Sequence, residues 1–229
     1  MTRPPEFGRP FLFTRGDRPY NDCMANTADY PIRSKPGEPV WELATHYPPQ
    51  GRWTKDQYLI YTEGRRGIEF NTGTLEFLPM PTRTHQEIIW LLCALLKNLL
   101  NPRDGEAWVA GIRVRTSSDT IREPDIVAML DKHDPRAGER LFEGADLVVE
   151  VVSDDPEGHR RDYEEKRQEY AQAGISEYWI VDPTELRITV LALNDGKYVE
   201  HCVAGDGEVA TSALLPGFQV EAAKVFHRA

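Results

Sequence analysis

The run from Asp146 to Ser153, DLVVEVVS, constrains the fold more than any other stretch of the chain. It is too short for a core helix. Its valines are β-branched, and it lacks the alternation of a strand with one wet face. Such a run reads as a strand buried on both sides, which requires helices to cover the sheet it belongs to. The next segment supplies one. Asp155 stands where an N-cap belongs, Pro156 at the first helical position and Gly174 just past the end. Tyr178 to Val181 then forms a second buried strand, closed by Asp182 and Pro183. One charge breaks the first strand. Glu150 sits inside it, and a carboxylate in such a place is costly to keep ionised unless it pairs with a base or holds a cation.

The flanking segments extend this strand–helix–strand unit. Upstream, Thr54 opens a short helix over KDQYLIY, and GIEFNTGTLEFLPMP alternates as a hairpin turning near Asn71 to Gly73. A longer helix is expected from Thr84, where Thr84 and Glu87 make a capping box ahead of a broad apolar face from Ile88 to Leu99; Asn101 and Pro102 stop it. Two strand-like segments follow, Trp108 to Arg115 and Ile121 to Leu130. The tail holds the strand LRITVLAL, a turn at Asn194 to Gly196 and the strand KYVEHCVA. The order predicts an α/β core, a mixed β-sheet flanked by helices. Nine of the 17 prolines fall in the first fifty residues, where regular structure is not expected to persist. Residues 1–50 therefore read as a proline-rich N-terminal extension and residues 51–229 as the folded domain.

Composition removes several classes of function. Lysine and arginine number 27 against 37 acids, a net charge of −10, which argues against a protein that coats nucleic acid by counterion release. A nuclease is still compatible, because its acids can hold metal while its bases gather on one face. The first fifty residues carry six bases and six acids, so the whole deficit lies in the domain. Three widely spaced cysteines make neither a disulfide framework nor a zinc knuckle. No apolar run approaches the ~20 residues that cross a bilayer. With no signal-peptide pattern at the N-terminus, a cytoplasmic setting is the expectation.

Three features carry chemistry: Glu123-Pro124-Asp125 leading into an apolar strand, Glu150, and the helical stripe Asp162, Lys166, Tyr170 at i, i+4, i+8. Two carboxylates on neighbouring strands with a lysine nearby suit a hard divalent metal bound through oxygen. Each has a plainer reading. Pro-Asp pairs are common in turns, Glu150 has a second reading as one arm of an internal salt bridge, and Asp162 with Lys166 as an ordinary surface pair. Tyr178 and Trp179 read as core packing, and the remaining histidines as surface residues.

The blocks REPDIV, DLVVEVVS and DYEEKRQEYAQAGISEYWIVDP, with EFNTGTLEFLPMPTRTHQEI upstream, resemble the Uma-type "putative restriction endonuclease" family of the PD-(D/E)XK nuclease superfamily. The likeness runs over about residues 53 to 226. It implies a restriction-endonuclease-like core and a Mg²⁺-dependent endodeoxyribonuclease, with Mn²⁺ as substitute and DNA as partner. By matching motif, Asp125, Glu150 and the carbonyl of Val151 would bind metal. Lys166 would be the catalytic lysine, displaced onto the helix because Val152 fills its standard position. Glu69, His85 and Asp162 would stand around the same cleft. Thr72 departs from the family, which often has aspartate there. Cutting both strands favours a homodimer, although no residue demands one. The alternative is a nuclease-like scaffold that no longer cuts and serves as a binding or interaction module.

Overall fold

The computed structural model describes residues 35–36 and 47–227. The chain divides into two compact units, Met1–Pro49 and Gln50–Ala229, and every element named below belongs to the second. The proline-rich extension, Cys23 and His46 lie outside the described residues.

Helix α1 (Lys55–Tyr61) opens with a reciprocal cap: Thr54 accepts the N–H of Gln57, and the Gln57 side chain accepts the N–H of Thr54. The hairpin follows as β1 (Ile68–Asn71) and β2 (Thr74–Phe77), turning through Thr72 and Gly73 at φ 47° and 79°. Two consecutive positive φ angles match the right-handed twist of the strands they join. Helix α2 (Arg83–Leu100) starts earlier than the capping box implied. Thr82, not Thr84, accepts the N–H of His85, and Glu87 instead pairs with Arg83. Either threonine can serve as a cap; the earlier start puts His85 in the first turn, where it reaches Asp125.

The two strand-like segments that follow are four strands: β3 (Glu106–Val109), β4 (Val114–Ser117), β5 (Thr120–Arg122) and β6 (Ile126–Met129). Each segment is interrupted by a residue poorly suited to a continuous ladder. Gly111 takes φ 100°, and Pro124 has no N–H to give. At each cut the chain passes from one sheet to another. The central unit is β7 (Leu147–Val151), then α3 (Pro156–Arg160), a π-helical turn (Arg161–Glu165) and α4 (Lys166–Gln172), then β8 (Glu177–Asp182). Asp155 caps the helix through the N–H of Gly158 at 2.7 Å. The hairpin β9 (Arg187–Asn194) and β10 (Lys197–Ala204) comes next. The chain ends in three short elements that no sequence pattern had marked, β11 (Val209–Thr211), β12 (Gln219–Glu221) and α5 (Ala222–Phe226).

Six strands form the main sheet in the order β10-β9-β8-β7-β6-β3, in which only β7 and β8 run parallel. A second sheet has the order β2-β1-β5-β4, and β11 and β12 make a third. One face of the main sheet, with Val149, Val151, Trp179 and Val190, packs on the α2 residues Ile88, Leu92 and Leu96. The other, with Val127, Val148 and Ile180, packs on Tyr170, Ala171 and Ile175. Glu150 alternates with Val149 and Val151 along β7, so it points to the second face, toward α4.

Candidate active site

Pro124 and Asp125 occupy the link between β5 and β6, where the chain leaves the four-stranded sheet for the six-stranded one. Asp125 is tied on both oxygens. Oδ2 accepts the N–H of Val151 at 2.8 Å, and Oδ1 lies 3.0 Å from His85 Nε2. β7 lies two residues past its last β6 partner at this point, since Val149 pairs with Ile126. N–H and C=O of one strand residue point the same way, so the Val151 carbonyl also faces the Asp125 side.

Glu150 is buried and accepts two bonds on Oε1, from Lys166 Nζ at 2.9 Å and from the Tyr170 hydroxyl at 2.6 Å. Lys166 Nζ lies 3.4 Å from Asp162 Oδ1 and 3.5 Å from Glu69 Oε1. Asp162 and Lys166 are therefore not a surface ion pair: both side chains are about 95% buried or more. Glu69 in turn accepts the N–H of Glu123 and an Arg122 Nη1–H, each at 2.9 Å. Arg122 is fully buried, bonds Glu169 with two parallel 2.7 Å contacts and also reaches Glu76. Glu150, Lys166, Glu69 and Asp162 thus form one side-chain cluster, and the Asp125–His85 pair joins it through the amide of Val151, the residue after Glu150.

The charge balance inside it is uneven. Burial alone would lower the Lys166 pKa, but Glu150, Glu69 and Asp162 outweigh it and keep the ammonium protonated well beyond the usual lysine range. Burial pushes Glu69 up, yet Lys166, Arg122 and the Glu123 N–H together hold it down to about 2. The remaining acids are less well compensated. Burial, with Asp162, Asp125 and Glu69 adding repulsion, overcomes Lys166 and raises Glu150 to about 8. Burial likewise raises Asp162 against the pull of Lys166 and Arg161. One oxygen of Asp162, Oδ1, is buried without a hydrogen bond. The site therefore has more carboxylate than its own cation can neutralise.

Two clefts lie near the cluster without being lined by any of its six residues. The larger, about 930 Å³, lies against β2 and the α3–α4 helix and is lined by five carboxylates, Glu76 and Glu169 among them, facing Arg160 and Arg161. The smaller, about 520 Å³, is lined by Arg65, Arg66, Arg113 and Arg140 against Glu63 and Glu139. Its Arg113 contacts Glu123, two residues before Asp125, at 3.4 Å. The sign of the lining makes the smaller cleft the better seat for a polyanion.

The model of the family described as "Uma2: Putative restriction endonuclease" matches residues 56–223, well over half of the chain. The chain belongs to the Uma2 family. Among solved structures, the chain resembles a protein from Anabaena variabilis described as a putative nuclease belonging to DUF820, at 20% identity and a TM-score of 0.58. The match covers 70% of this chain and 89% of that one, and it shows the restriction-endonuclease-like α/β fold. No curated protein matches. This Uma2 chain also uses two residues whose roles no sequence pattern had disclosed. Tyr170 stood out only as part of the helical stripe, and Arg122 only as the first residue of the REPDIV block.

Proposed function

We propose that the protein is a metal-dependent endodeoxyribonuclease that hydrolyses phosphodiester bonds with water as nucleophile. The reading rests on the convergence of Asp125, Glu150 and Lys166 from three separate elements, in a cluster that carries surplus carboxylate. Surplus acid with a raised pKa suits a bound cation, and every available donor is a hard oxygen. Among the described residues no three His, Cys, Asp or Glu side chains form a ready metal cluster. Asp125, Glu150 and the Val151 carbonyl would hold the ion and leave its other positions to water, as Mg²⁺ prefers. Such an ion, with Mn²⁺ as substitute, supplies charge to the phosphate and acidifies a bound water. Lys166 stays protonated, so it acts as a donor to developing negative charge rather than as a base. His85 orients Asp125. The arginine-lined cleft beside Glu123 offers DNA its phosphate contacts. Two copies related by a twofold axis would cut both strands.

Supercoiled plasmid with Mg²⁺ or Mn²⁺ tests this directly. Nicking is expected, with a loss of about 100-fold or more for Glu150→Gln and Lys166→Met; wild-type protein inert across pH and substrate would overturn the reading. One observation favours the second reading, an inert nuclease-fold module: Glu150 already accepts bonds from both Lys166 and Tyr170. Calorimetry separates the two. Mg²⁺ uptake that disappears in Asp125→Ala supports the enzyme, and no uptake supports the module.

A further inference from the structure

The helix that carries Lys166 changes its hydrogen-bond register just ahead of that residue. The N–H of Lys166 donates to the carbonyl of Arg161, five residues back, where an α-helix would use Asp162. The switch accommodates one extra residue in the turn and passes over one carbonyl, that of Asp162. A buried carbonyl left without a donor is unfavourable. Tyr178, from β8, supplies the donor: its hydroxyl reaches the Asp162 carbonyl at 2.9 Å. Tyr178 is fully buried, and its ring meets that of Tyr170 edge-on at 5.1 Å. Burial, with Asp162 and Glu150 nearby, keeps its hydroxyl protonated and therefore a donor.

The geometry points to Tyr178 as a positioning residue, whose hydroxyl holds the π-helical turn and thereby sets where Asp162 and Lys166 stand relative to Glu150. The turn is anchored at both ends, by the Asp155 cap before it and by Tyr170 in the core after it. If it relaxed to α-helix, either Asp162 or Lys166 would have to rotate by about 100°. Both now meet at one ammonium group, so either rotation dismantles the contact between Lys166 and Glu150. The inference rests on Lys166 being the cation of the proposed site. It does not require that the protein cut DNA.

A double-mutant cycle tests the device on the full chain without added metal. Glu164 is exposed within the turn, and deleting it removes the extra residue that the π register accommodates. Tyr178→Phe is expected to lower Tm by about 3–8 °C in the wild-type background and to change it little once Glu164 is deleted. Equal losses in both backgrounds would overturn the proposal. A crystal structure of Tyr178→Phe gives a second readout that holds even if the deletion variant does not fold. The Lys166 N–H should move to the Asp162 carbonyl and Lys166 should leave Glu150; a π-helical turn intact in that variant would overturn the proposal. Where the wild type nicks plasmid, Tyr178→Phe should lower kcat at least about 10-fold with KM for DNA unchanged. A wild type that never nicks would remove the nuclease reading and leave the Tm cycle and the structure to decide this one.

Discussion

Glu150 and Glu69 both face Lys166, yet burial and neighbours move them in opposite directions, and the pH dependence of stability follows. Glu150 titrates near 8 in the folded protein against 4.5 as a free side chain. The folded state therefore keeps a proton that the unfolded chain releases, and stability falls as pH rises from about 4.5 to 8. Glu69, held near 2, works the other way: its contribution is present above 4.5 and is lost as pH falls toward 2. The Lys166 contribution is complete below 10.5 and does not vary in this range. The urea midpoint should peak near pH 5, and Glu150→Gln should flatten the decline toward pH 8. A wild-type midpoint that rises steadily to pH 8 would contradict this balance. Arg122→Ala should cost about 3–5 kcal/mol in urea unfolding, because it strands Glu69 and Glu169 as buried or half-buried charges. Asp125 and Glu150 were readable in the sequence because a lone acid beside an apolar strand demands a reason. Arg122 was not, since its three partners lie 46 to 53 positions away and only the folded chain brings them together.

The β1–β2 hairpin carries a local cost. Thr72 is β-branched and holds φ 47°, a left-handed conformation that such side chains adopt with strain; its N–H donates to the Asp119 carbonyl at 2.8 Å and its hydroxyl donates to the Asn71 side chain. Thr72→Asn should stabilise the protein by about 1 kcal/mol, visible as a Tm rise of about 2–4 °C. Gly73→Ala should do the reverse, because an added Cβ would stand 2.8 Å from the Gly51 carbonyl oxygen. Local chemistry of this kind made most elements readable beforehand: the caps at Thr54 and Asp155, the Asn71–Gly73 turn, and the apolar run of β7. Where two local signals competed, sequence alone could not choose. Thr82 and Thr84 both qualify as caps for α2, and a bond from His85 to Asp125, 40 positions on, accompanies the choice. The division of 108–115 and 121–130 was signalled by Gly111 and Pro124, but that each break is a change of sheet depends on pairings between distant strands. The π-helical turn was hidden for the same reason, because its donor comes from β8.

The net charge of −10 sets how the protein meets a polyanion. Without divalent ion, the surplus acids should repel phosphate, and neutralising them should strengthen binding. Affinity for a 30-base-pair duplex should rise by about 10-fold or more when Mg²⁺ replaces Na⁺ at equal ionic strength, measured with Glu150→Gln as the control that does not respond. Equal affinity in both salts would mean that the acids and the DNA do not share a site. The placement of Asp125 reaches further than charge. It sits on the short bridge by which the chain crosses between two sheets, and it grips β7 through the amide of Val151. Its neighbour Ile126 pairs with Val149, so any shear of the four-stranded sheet against the six-stranded one pulls on the link that holds Asp125 beside Glu150. A ligand that draws those acids together would brace the joint between the sheets, so the slowing of amide exchange at Val151 on ligand addition would report mechanical coupling as well as occupancy.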